Sequence, residues 1–129
     1  MKKIKRGEIR LCDLGRGYGS IQGGVRPVLI VQNNKGNKYS PLAIVCPITS
    51  KTKYKAKLPT HMVLNKNIGL KETSLLLTEQ IITVNKFSIG RKITTLPSKL
   101  MEVADKRIQI SLSLREYKHK NIYFRKSKK

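Results

Sequence analysis

Tryptophan is absent from the 129 residues, and phenylalanine occurs only twice, so there is little to build an aromatic core from. Acidic side chains are nearly as scarce, with seven Asp and Glu against 28 Lys and Arg. So thin a scatter of carboxylates does not point to a dedicated magnesium cage. Two cysteines (Cys12, Cys46) and two histidines (His61, His119), with neither CxxC nor HxxxH spacing, argue against a structural zinc site. Both cysteines fall in apolar, strand-like segments and read as reduced core residues rather than a disulfide. No apolar run approaches the roughly 20 residues that a membrane-spanning helix needs. The start, MKKIKRGEIRLCDL, lacks the apolar stretch and small-residue cleavage site of a secretory signal. The expected setting is therefore the cytosol, with no metal, no cofactor and no membrane.

What is present in excess is positive charge. A formal net charge of +21 opposes self-compaction and attracts polyanions, chiefly nucleic acid or an anionic surface. The length suits one domain with one ordinary core. Glu8 to Leu14 (EIRLCDL), Pro27 to Gln32 (PVLIVQ) and Leu42 to Ile48 (LAIVCPI) have the length and turn-rich borders of strands. His61 to Leu64, Ser74 to Leu77 and Arg91 to Thr94 are further strand candidates, and Asn33 to Asn37 (NNKGN) is a turn cluster. Short strands at such spacing predict a mainly β chain folded as a small barrel or sandwich. Leu100, Ala104, Ile108 and Leu112 recur every four residues behind Pro97 and Ser98, which predicts an amphipathic helix over Ser98 to Leu112 that lids the core. Lys51 to Lys57 (KTKYKAK) fits an edge strand or a loop. Residues 115–129 carry seven Lys/Arg and one Glu with Tyr117, Tyr123 and Phe124 between them. They read either as a solvated tail or as a basic arm whose aromatics stack on bases.

One stretch asks for an explanation. In GSIQGGVRP (19–27) a paired glycine precedes an arginine pinned in front of a proline. Glycine opens conformations closed to other residues, and proline pushes Arg26 toward an extended shape. Arg26 is thereby held where a loop enters a strand, either as a solvent-exposed hairpin residue or as a placed cation.

With those residues in view, the chain resembles the MazF/PemK-type toxins of bacterial toxin–antitoxin systems. The stretches that carry the resemblance are RGEIRLCDLG (6–15), GSIQGGVRPVLIVQN (19–33), GNKYSP (36–41), PITS (47–50), KAKLPTH (55–61), LTEQI (77–81) and QISL (109–112), in the family's order. The resemblance implies a small SH3-like β-barrel with a C-terminal helix over residues 1–114, followed by the basic tail 115–129. It implies a homodimer, a cognate antitoxin whose acidic segment occupies the RNA groove, and sequence-specific, metal-independent cleavage of single-stranded RNA to 2′,3′-cyclic phosphate and 5′-hydroxyl ends. Catalytic roles pass to Arg26 of GGxRP and Thr49 of the ITS motif. RNA contacts pass to Tyr18, Ser20 and Gln22 in the loop, to Ser50, and to Gln80 of the EQ pair. The family often has an acid where Ile21 stands, and an arginine and an aspartate where Ile82 and Asn85 stand, so base preference does not transfer.

The chemistry can be checked against these side chains. Attack of the 2′-hydroxyl on phosphorus needs a proton acceptor, a proton donor for the leaving oxygen, and stabilisation of the extra charge on phosphate. Arg26 suits the last task, since its planar fork grips two phosphate oxygens. The Thr49 hydroxyl can donate to a phosphate oxygen or orient the nucleophile. A free guanidinium titrates above about 12, so arginine is a poor base at neutral pH. The acceptor is then water, a phosphate oxygen, His61 or Glu79. Lys51, Lys53, Lys55 and Lys57 follow Thr49 and serve either as groove cations or as solvated surface. Two other readings stay open: a non-catalytic basic RNA- or ribosome-binding module, and a gyrase-poisoning toxin on the same barrel.

Overall fold

The structure, a computed structural model, describes residues 3–50 and 58–115. Strands β1 (Glu8–Asp13) and β2 (Val25–Ile30) form an antiparallel pair, with Ile9 opposite Leu29 and Cys12 opposite Arg26. Helix α1 (Asn34–Tyr39) leads into β3 (Leu42–Thr49), followed by β4 (His61–Leu64), β5 (Ser74–Leu77), β6 (Ile82–Asn85), β7 (Ile89–Thr95) and helix α2 (Ser98–Leu112). Six of the seven strands described run in the order β4-β5-β3-β2-β1-β7. β6 lies off this path, against the first half of β3, while β5 takes the second half. The opposite edges approach at the 3₁₀ turn Lys66–Ile68, where Thr94 Oγ1 donates to the Ile68 carbonyl at 2.8 Å. The expected mainly β barrel with a C-terminal helix is the architecture the chain forms.

Strand alternation divides the core. One face carries Ile9, Leu29, Cys46 and Ile48, closed by Met101 and Ala104 of α2. The other carries Cys12, Val28, Ile30, Val45 and Ile89. Both cysteines are buried and unbridged. Burial pushes the Cys46 thiol from its usual 9.0 up to about 12, with Glu79 adding to the rise and Arg6 opposing it. Arg6 anchors the helix lid: its guanidinium meets Asp105 of α2 at 2.5 Å, and its Nε donates to the Val31 carbonyl at 2.9 Å.

Two sequence expectations need correction. The Asn33–Asn37 cluster is the start of α1 rather than a turn, because the Asn33 side chain caps it by accepting from Gly36 N–H at 2.8 Å. Asn37 then faces inward, exchanging hydrogen bonds with Gln32. The second is β6, which the patterning passed over: its exposed Ile82 and Thr83 break the alternation, and pairing with β3 makes it a strand.

Candidate active site

The hairpin loop between β1 and β2 is pinched shut by glycine. A Cβ placed on Gly23 would stand 2.2 Å from Gly17 N, and one on Gly17 would stand 2.6 Å from the Ile21 carbonyl. The limbs approach so closely that neither position tolerates a side chain. Gly24 adopts the left-handed conformation at φ 75° and bonds in both directions, donating to the Gly15 carbonyl at 2.7 Å and accepting from Leu14 N–H at 3.0 Å. This closure delivers Arg26, half-buried, to the start of β2.

The guanidinium is held by the loop that precedes it. Its Nε donates to the Gly23 carbonyl at 2.9 Å, and Nη1 donates to Gln22 Oε1. Two of an arginine's five N–H donors are thus committed, and among the described residues the other three make no hydrogen bond. Gln22 N–H in turn donates to Gln80 Oε1 at 2.9 Å, and Gln80 Nε2 donates to the Ser20 carbonyl at 2.8 Å. Four residues nominated from the sequence, Ser20, Gln22, Arg26 and Gln80, therefore form one hydrogen-bonded cluster. Tyr18 projects from the same loop, exposed, with Arg16 Cζ 5.3 Å from its ring centroid.

Thr49 ends β3. The β2–β3 ladder stops at Val28 opposite Pro47, and Thr49 itself pairs with Leu75 of β5. Thr49 is buried, at 5% exposure, and the next residue, Ser50, is exposed. Arg26 and Ser50 line one open groove of about 750 Å³ with an apolar floor that includes Pro27, Ile48 and Ile93. Lys51 and Lys53, together with Lys55 and Lys57, lie outside the described residues, as do Tyr117, Tyr123 and Phe124 of the tail.

Two further cations, Lys71 and Arg91, line that groove and were not singled out from the sequence. Nothing local marks them among 28 basic residues; only the fold brings the 71 and 91 segments to the groove that Arg26 lines. His61 and Glu79, the two candidate bases, are paired with each other, His61 Nε2 lying 2.9 Å from Glu79 Oε2. Thr60 Oγ1 donates to the other Glu79 oxygen at 3.1 Å. Neither hydrogen-bonds to the Arg26 cluster, and buried His61 Nδ1 has no partner among the described residues. Ile21 stands exposed on the loop.

Comparison with known proteins follows this geometry. The family described as "PemK-like, MazF-like toxin of type II toxin-antitoxin system" matches residues 5–112. Endoribonuclease EndoA of Bacillus subtilis (strain 168) is 46% identical over 115 residues, spanning 88% of this chain and 98% of that protein. Among solved structures, MazF (Form-I) from Deinococcus radiodurans shares the fold with a TM-score of 0.74 at 18% identity, covering 88% of this chain and 99% of that one. A mycobacterial endoribonuclease solved in complex with its cognate antitoxin shares it with a TM-score of 0.71 at 23% identity, covering 91% and 100%. Family match and identity over almost the whole chain agree: the protein belongs to the PemK-like, MazF-like toxins of type II toxin–antitoxin systems.

Proposed function

We propose that this toxin is an endoribonuclease that cuts single-stranded RNA at particular sequences, without a metal ion, by using the RNA's own 2′-hydroxyl. The observation that carries the reading is the placement of Arg26, held at a strand mouth by its own loop and lining one groove with Lys71, Arg91 and Ser50, the neighbour of Thr49. A groove lined by apolar side chains and by three cations against one carboxylate, Glu72, suits stacked bases and their phosphates. The 46% identical Bacillus protein being named an endoribonuclease supports the same activity here.

In the reaction, the 2′-oxygen bonds to phosphorus as the bond from phosphorus to the 5′-oxygen breaks. The 2′ proton leaves to water or a phosphate oxygen, and the departing 5′-oxygen takes up a proton. The products are a 2′,3′-cyclic phosphate and a 5′-hydroxyl. Arg26 stabilises charge on the non-bridging oxygens through its uncommitted N–H groups, and Thr49 supplies a hydroxyl beside it. Gln22, Ser20, Tyr18, Ser50 and Gln80 contact the RNA, with Lys51 and Lys53 as further cations. Residues 1–114 form the toxin domain and 115–129 an accessory basic arm. The active form is a cytoplasmic homodimer, restrained by a cognate acidic antitoxin, as the mycobacterial fold relative is captured with its own.

The test is to incubate the purified protein with a long single-stranded RNA in excess EDTA and map the ends. Cuts confined to one sequence and ending in cyclic phosphate are expected. Intact RNA retained by a folded protein would indicate a binding module instead, and stalled gyrase with intact RNA would indicate a gyrase poison.

A further inference from the structure

Gln80 grips the β1–β2 loop with both polar atoms of its carboxamide. Its oxygen accepts from Gln22 N–H at 2.9 Å and its nitrogen donates to the Ser20 carbonyl at 2.8 Å. Both partners are backbone groups, so this contact sets the path of the loop whatever side chains the loop carries. From the other side of the same loop, the Gln22 side chain and the Gly23 carbonyl hold Arg26. Gln80 makes no hydrogen bond to Arg26 itself; the loop backbone connects them.

The base beneath Gln80 is firm. It ends the 3₁₀ turn Thr78–Gln80, whose Thr78 is fully buried and donates through Oγ1 to the Thr60 carbonyl at 2.6 Å. Glu79 is tied to His61 and Thr60. The loop is closed at its base by the bonds of Gly24 to Gly15 and Leu14. Among the described residues its tip has of its own only the turn bond from Ile21 N–H to the Tyr18 carbonyl at 2.8 Å, and Tyr18, Gly19, Ser20 and Ile21 are all exposed. The exposed tip of this glycine-rich loop is thus tied to a buried turn 58 residues further along the chain.

We propose that Gln80 is a positioning residue for Arg26, fixing the loop in the shape that aims the guanidinium at the scissile phosphate. This rests on the reading of Arg26 as the phosphate clamp. A bidentate grip demands placement within about 0.5 Å, and a misplacement of about 1 Å costs about 100-fold in rate. The contact at Gln80 therefore acts on the chemical step rather than on RNA affinity alone.

The experiment uses the full chain as wild type, Gln80→Ala and Gln80→Glu, with two readouts. Nuclear magnetic resonance follows the Arg26 Nε–H signal and its exchange with solvent, and steady-state cleavage of single-stranded RNA gives kcat and KM separately. In Gln80→Ala the Arg26 signal is expected to shift and exchange faster, with kcat falling about 10- to 100-fold and KM changing less than about threefold. Gln80→Glu keeps an acceptor for Gln22 N–H and loses the donor for Ser20, so it falls between; it also carries both readouts if the alanine variant does not fold. An unmoved Arg26 signal overturns the proposal, as does a loss carried wholly by KM, which leaves Gln80 as an RNA contact with no positioning role. A wild-type protein that leaves RNA intact overturns the nuclease reading, while the Arg26 signal still decides whether Gln80 holds the arginine.

Discussion

Arg26 has the fittings of an electrostatic clamp: three N–H groups uncommitted among the described residues, and two fixed by the loop that carries it. Arg26→Ala is expected to lower RNA cleavage at least about 100-fold, the usual scale for one oxyanion-stabilising donor, with the circular dichroism of the folded chain unchanged. Arg26→Lys should recover little, since an ammonium lacks the planar fork. Retained cleavage in the alanine variant removes Arg26 from the mechanism. Gly23 is a second residue with one job. A methyl group there meets backbone at 2.2 Å, so Gly23→Ala should cost about 1–3 kcal/mol in urea denaturation and deplete cleavage with it. The Cys46 thiol gives a pH prediction. The folded state keeps its proton up to about 12 while the unfolded chain loses it near 9.0, so native protein binds more protons across that window. Through this group stability is intact below pH 9.0 and falls as pH rises from there toward 12. Cys46→Ala should flatten that part of the urea-midpoint profile, and an unchanged slope would refute the assignment.

At the scale of elements, α1 shows how a six-residue helix is secured without length. Asn33 caps its start, and the buried Lys86 reaches from the 3₁₀ turn Lys86–Ser88 to donate through Nζ to the Asn37 carbonyl. A cation among the last carbonyls of a helix is favourable on both hydrogen-bond and dipole grounds. Lys86→Met keeps the bulk and removes the donor, leaving a buried carbonyl unpaired. The expected loss is about 1–3 kcal/mol by urea denaturation. A variant as stable as wild type would show that the lysine's stem, not its charge, secures the turn. Helix α2 shows the opposite economy: of its four-residue apolar repeat Ala104 is buried, Leu100 and Ile108 pack partly buried against the core and Leu112 is exposed. Met101 adds a second buried residue, and Arg6 ties the helix to the N-terminal segment through Asp105.

For the whole molecule the dominant quantity is the +21 charge. RNA held by Lys and Arg releases counterions, so the logarithm of affinity should fall linearly with that of salt, by about 0.7 per phosphate neutralised. Fluorescence anisotropy with Arg26→Ala, which prevents cleavage, measures that slope. Lys71→Ala and Arg91→Ala should each make it shallower by about 0.7 if each neutralises one phosphate. Affinity indifferent to salt would contradict the role given to the groove cations.

Much of this protein was legible in one dimension. Alternation and turn chemistry marked six of the strand segments, and the four-residue repeat marked α2 from Ser98 to Leu112. GGVRP singled out Arg26, because glycine and proline constrain backbone locally and leave their sign in sequence. Those features depend on neighbours along the chain, so the chain alone determined them. Strand β6 and the inward turn of Asn37 depend on what packs alongside, and alternation carries no record of register between distant strands. The same holds for Lys71 and Arg91, two cations among many until folding sets them on one groove. Gln80's hold on the loop is the clearest case: a contact across 58 residues, made through backbone groups that every residue possesses. Sequence could nominate the glutamine, but only the tertiary structure decided what it grips.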